Sequence, residues 1–309
     1  MKRVFEISFL SILFILFGQI KSASAQQEGQ LSQYIFNSLA FNPAYAGSNE
    51  VFNVSALYRA QWVNFDGAPT TQTITGNAPL RDKKYAVGGT IYNDALGYTN
   101  KFGVFGDFSY GILFEESQIS FGVKAGFDVF QANYTKYSPI DPDPNFDQNI
   151  TKFLPNVGFG VYYFSDYYYV GFSAPKLLTN SYTKDENNNG TDNKQVVTYY
   201  FNGGYVFKLT SFLDFKPSFL FKFAINAPSQ IDLNANFLFI KRFWVGVMYR
   251  PGAAWGGMMQ YQISQKFRFG YSVDFATTSL RMYNSGTHEF MLSYDFSNYK
   301  KRITSPRYF

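Results

Sequence analysis

From Ile119 to Val129 the chain alternates without a break. Ile119, Phe121, Val123, Ala125, Phe127 and Val129 fall on one parity, and Ser120, Gly122, Lys124, Gly126 and Asp128 on the other. A period of two sends the two sets to opposite faces of a β-strand. The pattern recurs in Leu213, Phe215, Pro217, Phe219, Phe221 and Phe223 against Asp214, Lys216, Ser218, Leu220 and Lys222. It recurs again in Phe267, Phe269, Tyr271, Val273 and Phe275 against Arg268, Gly270, Ser272 and Asp274, and in Phe290, Leu292, Tyr294 and Phe296 against Glu289, Met291, Ser293 and Asp295. Counted along the chain, such segments predict about fourteen strands, near 51–62, 70–78, 84–93, 102–114, 117–131, 155–164, 167–174, 196–208, 211–225, 229–239, 242–250, 254–263, 266–276 and 287–297. No helical period of any length competes with them.

Many of these segments have the roughly ten residues that a tilted strand needs to cross a bilayer, and an even count is what a single-chain bacterial barrel has. The links alternate as well. Short ones fall at Glu115-Glu116, Ser165-Asp166, Lys208 to Thr210, Lys241 and Ser264-Gln265, and long ones at 132–154, 175–195 and 277–286. Short periplasmic turns opposite long outer loops are the barrel arrangement. A two-sheet sandwich alternates too, but its apolar face draws mostly on Val, Ile and Leu. With 36 Phe and 25 Tyr in 309 residues and a mean hydropathy of −0.18, this chain has the aromatic outer wall and polar inner wall of a membrane barrel. The fold class read here is all-β, an antiparallel transmembrane β-barrel over 51–297 with a short N-terminal plug-like segment. Lys124, Asp128, Asp214, Lys216, Lys222, Asp232, Arg268 and Asp274 are the charges assigned to its inner face.

The start of the chain gives the compartment. Lys2 and Arg3 precede an apolar run from Phe9 to Phe17 broken only by Ser11, and Ala23-Ser24-Ala25 follow it. That is a secretory signal peptide over 1–25, too short to span a membrane, with cleavage expected before Gln26. No later segment approaches the roughly 18 apolar residues of a membrane helix. The absence of cysteine excludes a disulfide framework and thiolate chemistry. The net charge of +5 does not mark a nucleic-acid binder, because the basic residues are dispersed, apart from Lys300, Lys301 and Arg302 in a tail over 298–309.

Chemistry-bearing residues are few. The one histidine, His288, follows the Ser285-Gly286-Thr287 turn with no assignable nucleophile, so it reads as a hydrogen-bonded structural residue, and no catalytic residue or cofactor site is assigned. Asp185, Asn187 and Asn189, with Gly190 next, mimic the first half of a calcium loop, but position twelve is Val196 and the closing acid is missing. They are kept as a weak calcium candidate beside the plainer reading of a solvated loop. In the long loop before the sixth strand, Tyr134, Tyr137, Phe146 and Phe153 are candidate aromatic anchors for a partner. Residues 26–50 lack clean alternation and are assigned either to a plug within the barrel or to a periplasmic segment.

Several strings together carry a family likeness. Gln33-Tyr34 with Asn37, then Asn42-Pro43-Ala44-Tyr45-Ala46-Gly47-Ser48, then Arg59-Ala60-Gln61-Trp62 with Gly67-Ala68-Pro69, and Gly286-Thr287-His288-Glu289 leading into Leu292-Ser293-Tyr294-Asp295-Phe296, resemble the PorP/SprF family. The likeness runs along nearly the whole chain after the signal and is weak over 132–195. It implies an outer-membrane barrel of the type IX secretion system in Bacteroidota, without enzymatic activity. The expected partners are a secreted adhesin-type protein, exported or anchored through its C-terminal sorting domain, other secretion components and outer-membrane lipid. In gliding species such an adhesin moves along the cell. A diffusion channel or small-molecule transporter is the alternative that the polar inner face permits.

Overall fold

The computed structural model describes residues 29–49, 51–80, 84–134, 149–182, 194–225 and 227–296. Among them, fourteen antiparallel strands form a single sheet closed on itself. They are β1 (Phe52–Ala60), β2 (Thr70–Pro79), β3 (Tyr85–Leu96), β4 (Thr99–Leu113), β5 (Ser117–Ala132), β6 (Ile150–Ser165), β7 (Tyr168–Ala174), β8 (Thr198–Tyr205, continued by Phe207–Lys208), β9 (Leu213–Ala224), β10 (Ala227–Phe239), β11 (Phe243–Arg250), β12 (Ala254–Gln262), β13 (Phe267–Ala276) and β14 (Thr287–Phe296). Each strand pairs with its sequence neighbours. The ring closes where β1 meets β14, from Phe52 opposite Phe296 to Ala60 opposite His288. Closure leaves no unpaired edge, the condition for crossing hydrocarbon with strands. No described helix is long and apolar enough to cross a membrane.

The alternation sorts the side chains as the sequence predicts. On β5, Ser120, Lys124 and Asp128 are buried toward the interior while Phe121 and Val123 are exposed outside. Outward rings run from strand to strand near the short-turn end: Tyr163 to Tyr168 at 5.7 Å, Tyr168 to Tyr205 at 6.5 Å, Tyr205 to Phe207 at 4.5 Å, Phe207 to Phe215 at 6.2 Å and Phe215 to Phe237 at 4.9 Å between centroids. Such a row is an interfacial aromatic girdle, where amphipathic rings sit at headgroup level.

Three strand boundaries differ from the sequence reading for one reason. The third and fourth strands continue to a tight turn at Gly97-Tyr98, so that Asp94 pairs in register with Lys101, both on the inner face. The sixth begins at Ile150, not near 155. Inward charged or polar residues near a strand end mimic a loop in hydropathy, because a barrel interior accepts them. Consequently Phe153 lies on the outward wall of β6, 64% exposed and 4.8 Å from Phe127 ring to ring, and not in a loop.

Residues 29–49 occupy the interior. Gly29 lies against Thr71 and Asp94 near the long-loop end. Three 3-10 turns follow, Tyr34–Phe36, Ser38–Ala40 and Pro43–Tyr45. Gly47, at the short-turn end, abuts Ala86 and donates its N–H to Asn77 at 3.2 Å, after which the chain turns into β1. The segment is therefore threaded from the long-loop mouth down to the short-turn end. Tyr34, Ile35, Phe36 and Phe41 pack with Tyr200, Leu220, Trp244, Met248, Met258 and Met291 of the inner wall, and Leu39, Ala44 and Tyr45 with Ala86, Tyr162 and Phe164.

Candidate functional site

At the long-loop end of the threaded segment, a charge cluster holds the chain. Arg59 at the end of β1 reaches Glu289 and Asp274 with one terminal nitrogen, 3.1 Å from each. The same nitrogen donates to the hydroxyl of Ser32 at 2.6 Å, and that hydroxyl donates to Asp274. The Glu289 carboxylate accepts the backbone N–H groups of Ser32 at 2.9 Å and Gln33 at 2.7 Å. Glu289 is wholly buried and Arg59 nearly so. Ionised acceptors for backbone donors and a shared guanidinium make charge-assisted bonds, roughly twice as strong as neutral ones.

At the short-turn end the hold is steric. A Cβ on Gly122 would come within 2.2 Å of the Ala44 nitrogen, and one on Gly160 within 2.1 Å of the Asn42 Oδ1. Only glycine lets the wall approach the segment this closely. Asn42 caps its turn by accepting from the Ala44 N–H at 3.0 Å and donates to the Val161 carbonyl at 3.2 Å. Ser173 donates to the Phe41 carbonyl at 2.8 Å and Ser109 to the Ala46 carbonyl at 2.9 Å, so wall hydroxyls satisfy backbone groups of the segment that lie away from water.

Above the segment, the long-loop mouth holds a vestibule of about 670 Å³. Arg59, Gln61, Trp62, Pro69, Tyr182 and Leu280 are among its lining. Its loop 61–69 is fixed at both ends: Gln61 N–H donates to the Pro69 carbonyl at 2.9 Å, and Val63 N–H to the Gly286 carbonyl at 2.9 Å. Trp62 stands at φ +49°, a conformation rare for a bulky residue and therefore a functional pointer. A second pocket, of about 110 Å³, lies deeper between the segment and β3–β5.

The residues singled out from sequence separate into groups. Gln33, Arg59 and Glu289 meet in the charge cluster. Asn42, Pro43 and Ala44 meet the glycine-bearing wall and Gly47 meets Ala86 and Asn77, while Tyr34 accepts from Asn234 at 2.6 Å and Asn37 accepts from Thr75 at 2.8 Å. Gln61, Trp62 and Pro69 line the mouth. His288 is directed elsewhere: it faces outward on β14, its Nδ1 2.7 Å from the Tyr271 hydroxyl. Tyr134, just past β5, leans on Tyr98 at 5.2 Å, and burial, with Tyr98 adding, pushes its phenol up. Tyr137, Phe146, Asp185, Asn187 and Asn189 lie outside the described residues, among which no group of three or more metal-ligating side chains occurs. The sequence pattern does not single out Ser32, Lys101 or Lys176: Lys101 falls between the alternating segments 84–93 and 102–114, and only its in-register place opposite Asp94 puts it inside.

The barrel architecture recurs among solved structures. The chain superposes on the Ralstonia pickettii toluene transporter TbuX with a TM-score of 0.51 at 9% identity, covering 85% of this chain and 94% of that one. On the CymD monoaromatic hydrocarbon channel it reaches 0.51 at 9%, covering 89% and 95%. The Acinetobacter baumannii outer membrane protein Omp33 matches at 0.45 and 12% identity over 80% of this chain and 99% of that one. At such identities the likeness concerns the fold alone. No curated protein matches the chain. The family model for the type IX secretion system membrane protein PorP/SprF matches residues 23–294. With its barrel fold the protein is a component of the outer membrane, and by this match the chain belongs to the PorP/SprF family of type IX secretion system membrane proteins.

Proposed function

We propose that this barrel is a non-enzymatic docking component, which assists the export of a secreted adhesin, or holds it at the surface, through that protein's C-terminal sorting domain. The observation that carries the reading is the occupied interior. Residues 29–49 fill the space that a diffusion pore would leave open, and the surface left for a large partner is the long-loop mouth with its vestibule. Long loops on a rigid wall are where recognition residues are usually carried. Tyr134 at the root of its loop is an anchor candidate, together with Tyr137 and Phe146. Phe153, on the outer wall, is better suited to lipid or to a partner's membrane-facing flank. His288 has its imidazole engaged with Tyr271 on the lipid side, an arrangement that serves packing.

The test is a gentle-detergent pull-down of the tagged protein from its native outer membrane, followed by mass spectrometry. The reading expects one large secreted protein with a C-terminal sorting domain, lost when loops 133–149 and 175–197 are both trimmed while the barrel stays folded. Recovery of the folded barrel alone, or retention of the partner by the trimmed barrel, contradicts it. The second reading, a channel, draws on the vestibule with its deeper pocket and on the barrel fold shared with the toluene transporter TbuX and the monoaromatic hydrocarbon channel CymD. Conductance in planar bilayers separates the two.

A further inference from the structure

The deeper pocket is built unlike the rest of the interior. It opens to the vestibule through Gly29, Thr71, Asp94 and Lys101, which line both spaces. Its walls are apolar, with Phe41, Phe105, Tyr200 and Leu220, while four ammonium groups, of Lys101, Lys124, Lys176 and Lys222, border it. Lys124 sits 3.0 Å from Asp107. Lys176 sits 2.8 Å from Asp128 and bonds the Tyr92 hydroxyl at 2.6 Å, and Tyr92 in turn bonds Asp128. Among the described residues, Lys101 has only the same Asp128, at 3.8 Å, beyond hydrogen-bond length, although it is 9% exposed. One carboxylate thus serves two lysines, and the one held at longer range stands at the junction of the two spaces. Asp94, the acid nearby, accepts the Thr71 hydroxyl at 2.6 Å.

A buried ammonium without a close anion is costly unless another anion completes it. At about 110 Å³ the pocket is smaller than an engineered cavity of roughly 150 Å³ that takes up benzene, but it is open to the vestibule, so a ring can enter it with its substituent left at the junction. We propose that this pocket binds a small apolar monocarboxylate, an aromatic acid or the carboxyl-terminal aromatic residue of a chain, with the ring among Phe41, Phe105 and Leu220 and the carboxylate on Lys101. The site is reached from the long-loop mouth, and Leu31, Tyr34, Ala40 and Phe41 of the threaded segment form one of its sides. It stands independently of adhesin docking, since a pull-down tests the loops and a titration tests Lys101.

The experiment is calorimetric titration of the detergent-purified barrel with benzoate, toluene and benzylamine. Benzoate is expected to bind saturably at one site and about tenfold or more tighter than toluene, the worth of a charge-assisted bond. Lys101→Met is expected to erase the preference for benzoate while toluene still binds, and Lys101→Arg to retain it. A peptide ending in free phenylalanine, set against its C-terminal amide, identifies the source: tighter binding than benzoate points to a chain terminus, weaker to a free acid. Absence of saturable benzoate binding, equal binding of benzoate and toluene, or a preference unchanged in Lys101→Met overturns the proposal.

Discussion

The two ends of the threaded segment are held by different physics. Near the long-loop mouth, Arg59, Asp274 and Glu289 hold Ser32 and Gln33 by directional, charge-assisted bonds between buried groups. Near the short-turn end, Gly122 and Gly160 admit Ala44 and Asn42 by having no side chain at all. The first hold depends on chemistry and is lost when one partner goes. The second depends on shape and is lost when something is added. A segment of about twenty residues with only short 3-10 turns has little intrinsic stability, so both holds are needed to keep it inside.

The comparison can be broken most severely at the charged end. Glu289→Ala leaves Arg59 with Asp274 as its one remaining carboxylate and strands two buried backbone N–H groups, and breaking a buried ion pair from one side costs about 3–5 kcal/mol. It is expected to lower the unfolding midpoint of the purified barrel, followed by heat-modified gel mobility, more than any other single change here. Glu289→Gln, which keeps the shape and an acceptor, is expected to do less harm. At the other end, Gly122→Leu overpacks the wall against Pro43-Ala44 and is expected to cost about 1–3 kcal/mol. Because it expels the segment while leaving the ladder intact, ion flow is expected to appear in planar bilayers. Asn42→Ala removes a cap and a wall bond, about 1–2 kcal/mol by unfolding in urea. Tyr271→Phe, on the outer wall, removes only the bond to His288. It is expected to change stability by about 1 kcal/mol or less and conductance not at all.

The barrel was legible in the sequence because its signal is a period of two repeated over strands, and lipid outside with polar groups inside keeps that period clean. The inner assignment of Lys124, Asp128, Asp232 and Asp274 followed from parity alone, and all four are buried and ion-paired. Less legible were the places where polar residues lie inside near strand ends. Asp94 and Lys101 resembled a loop in hydropathy, so the pocket they border had no sequence signal. The charge cluster was half visible: Gln33, Arg59 and Glu289 stood out by family likeness, but nothing local tells that residues more than two hundred positions apart meet at one carboxylate. Equally, Gly122 and Gly160 appear in sequence as ordinary small residues on the polar parity. Their purpose is visible only once the segment lies against them.

The most direct measurement is the conductance of the purified protein in planar bilayers, compared with a variant in which residues 29–49 are replaced by a short flexible linker and the barrel is verified by heat-modified mobility. An interior filled by its own chain predicts a nearly silent wild type and large, steady conductance in the variant. A wild type that conducts as well as the variant would contradict the occupied barrel, and with it the placing of function at the long-loop mouth.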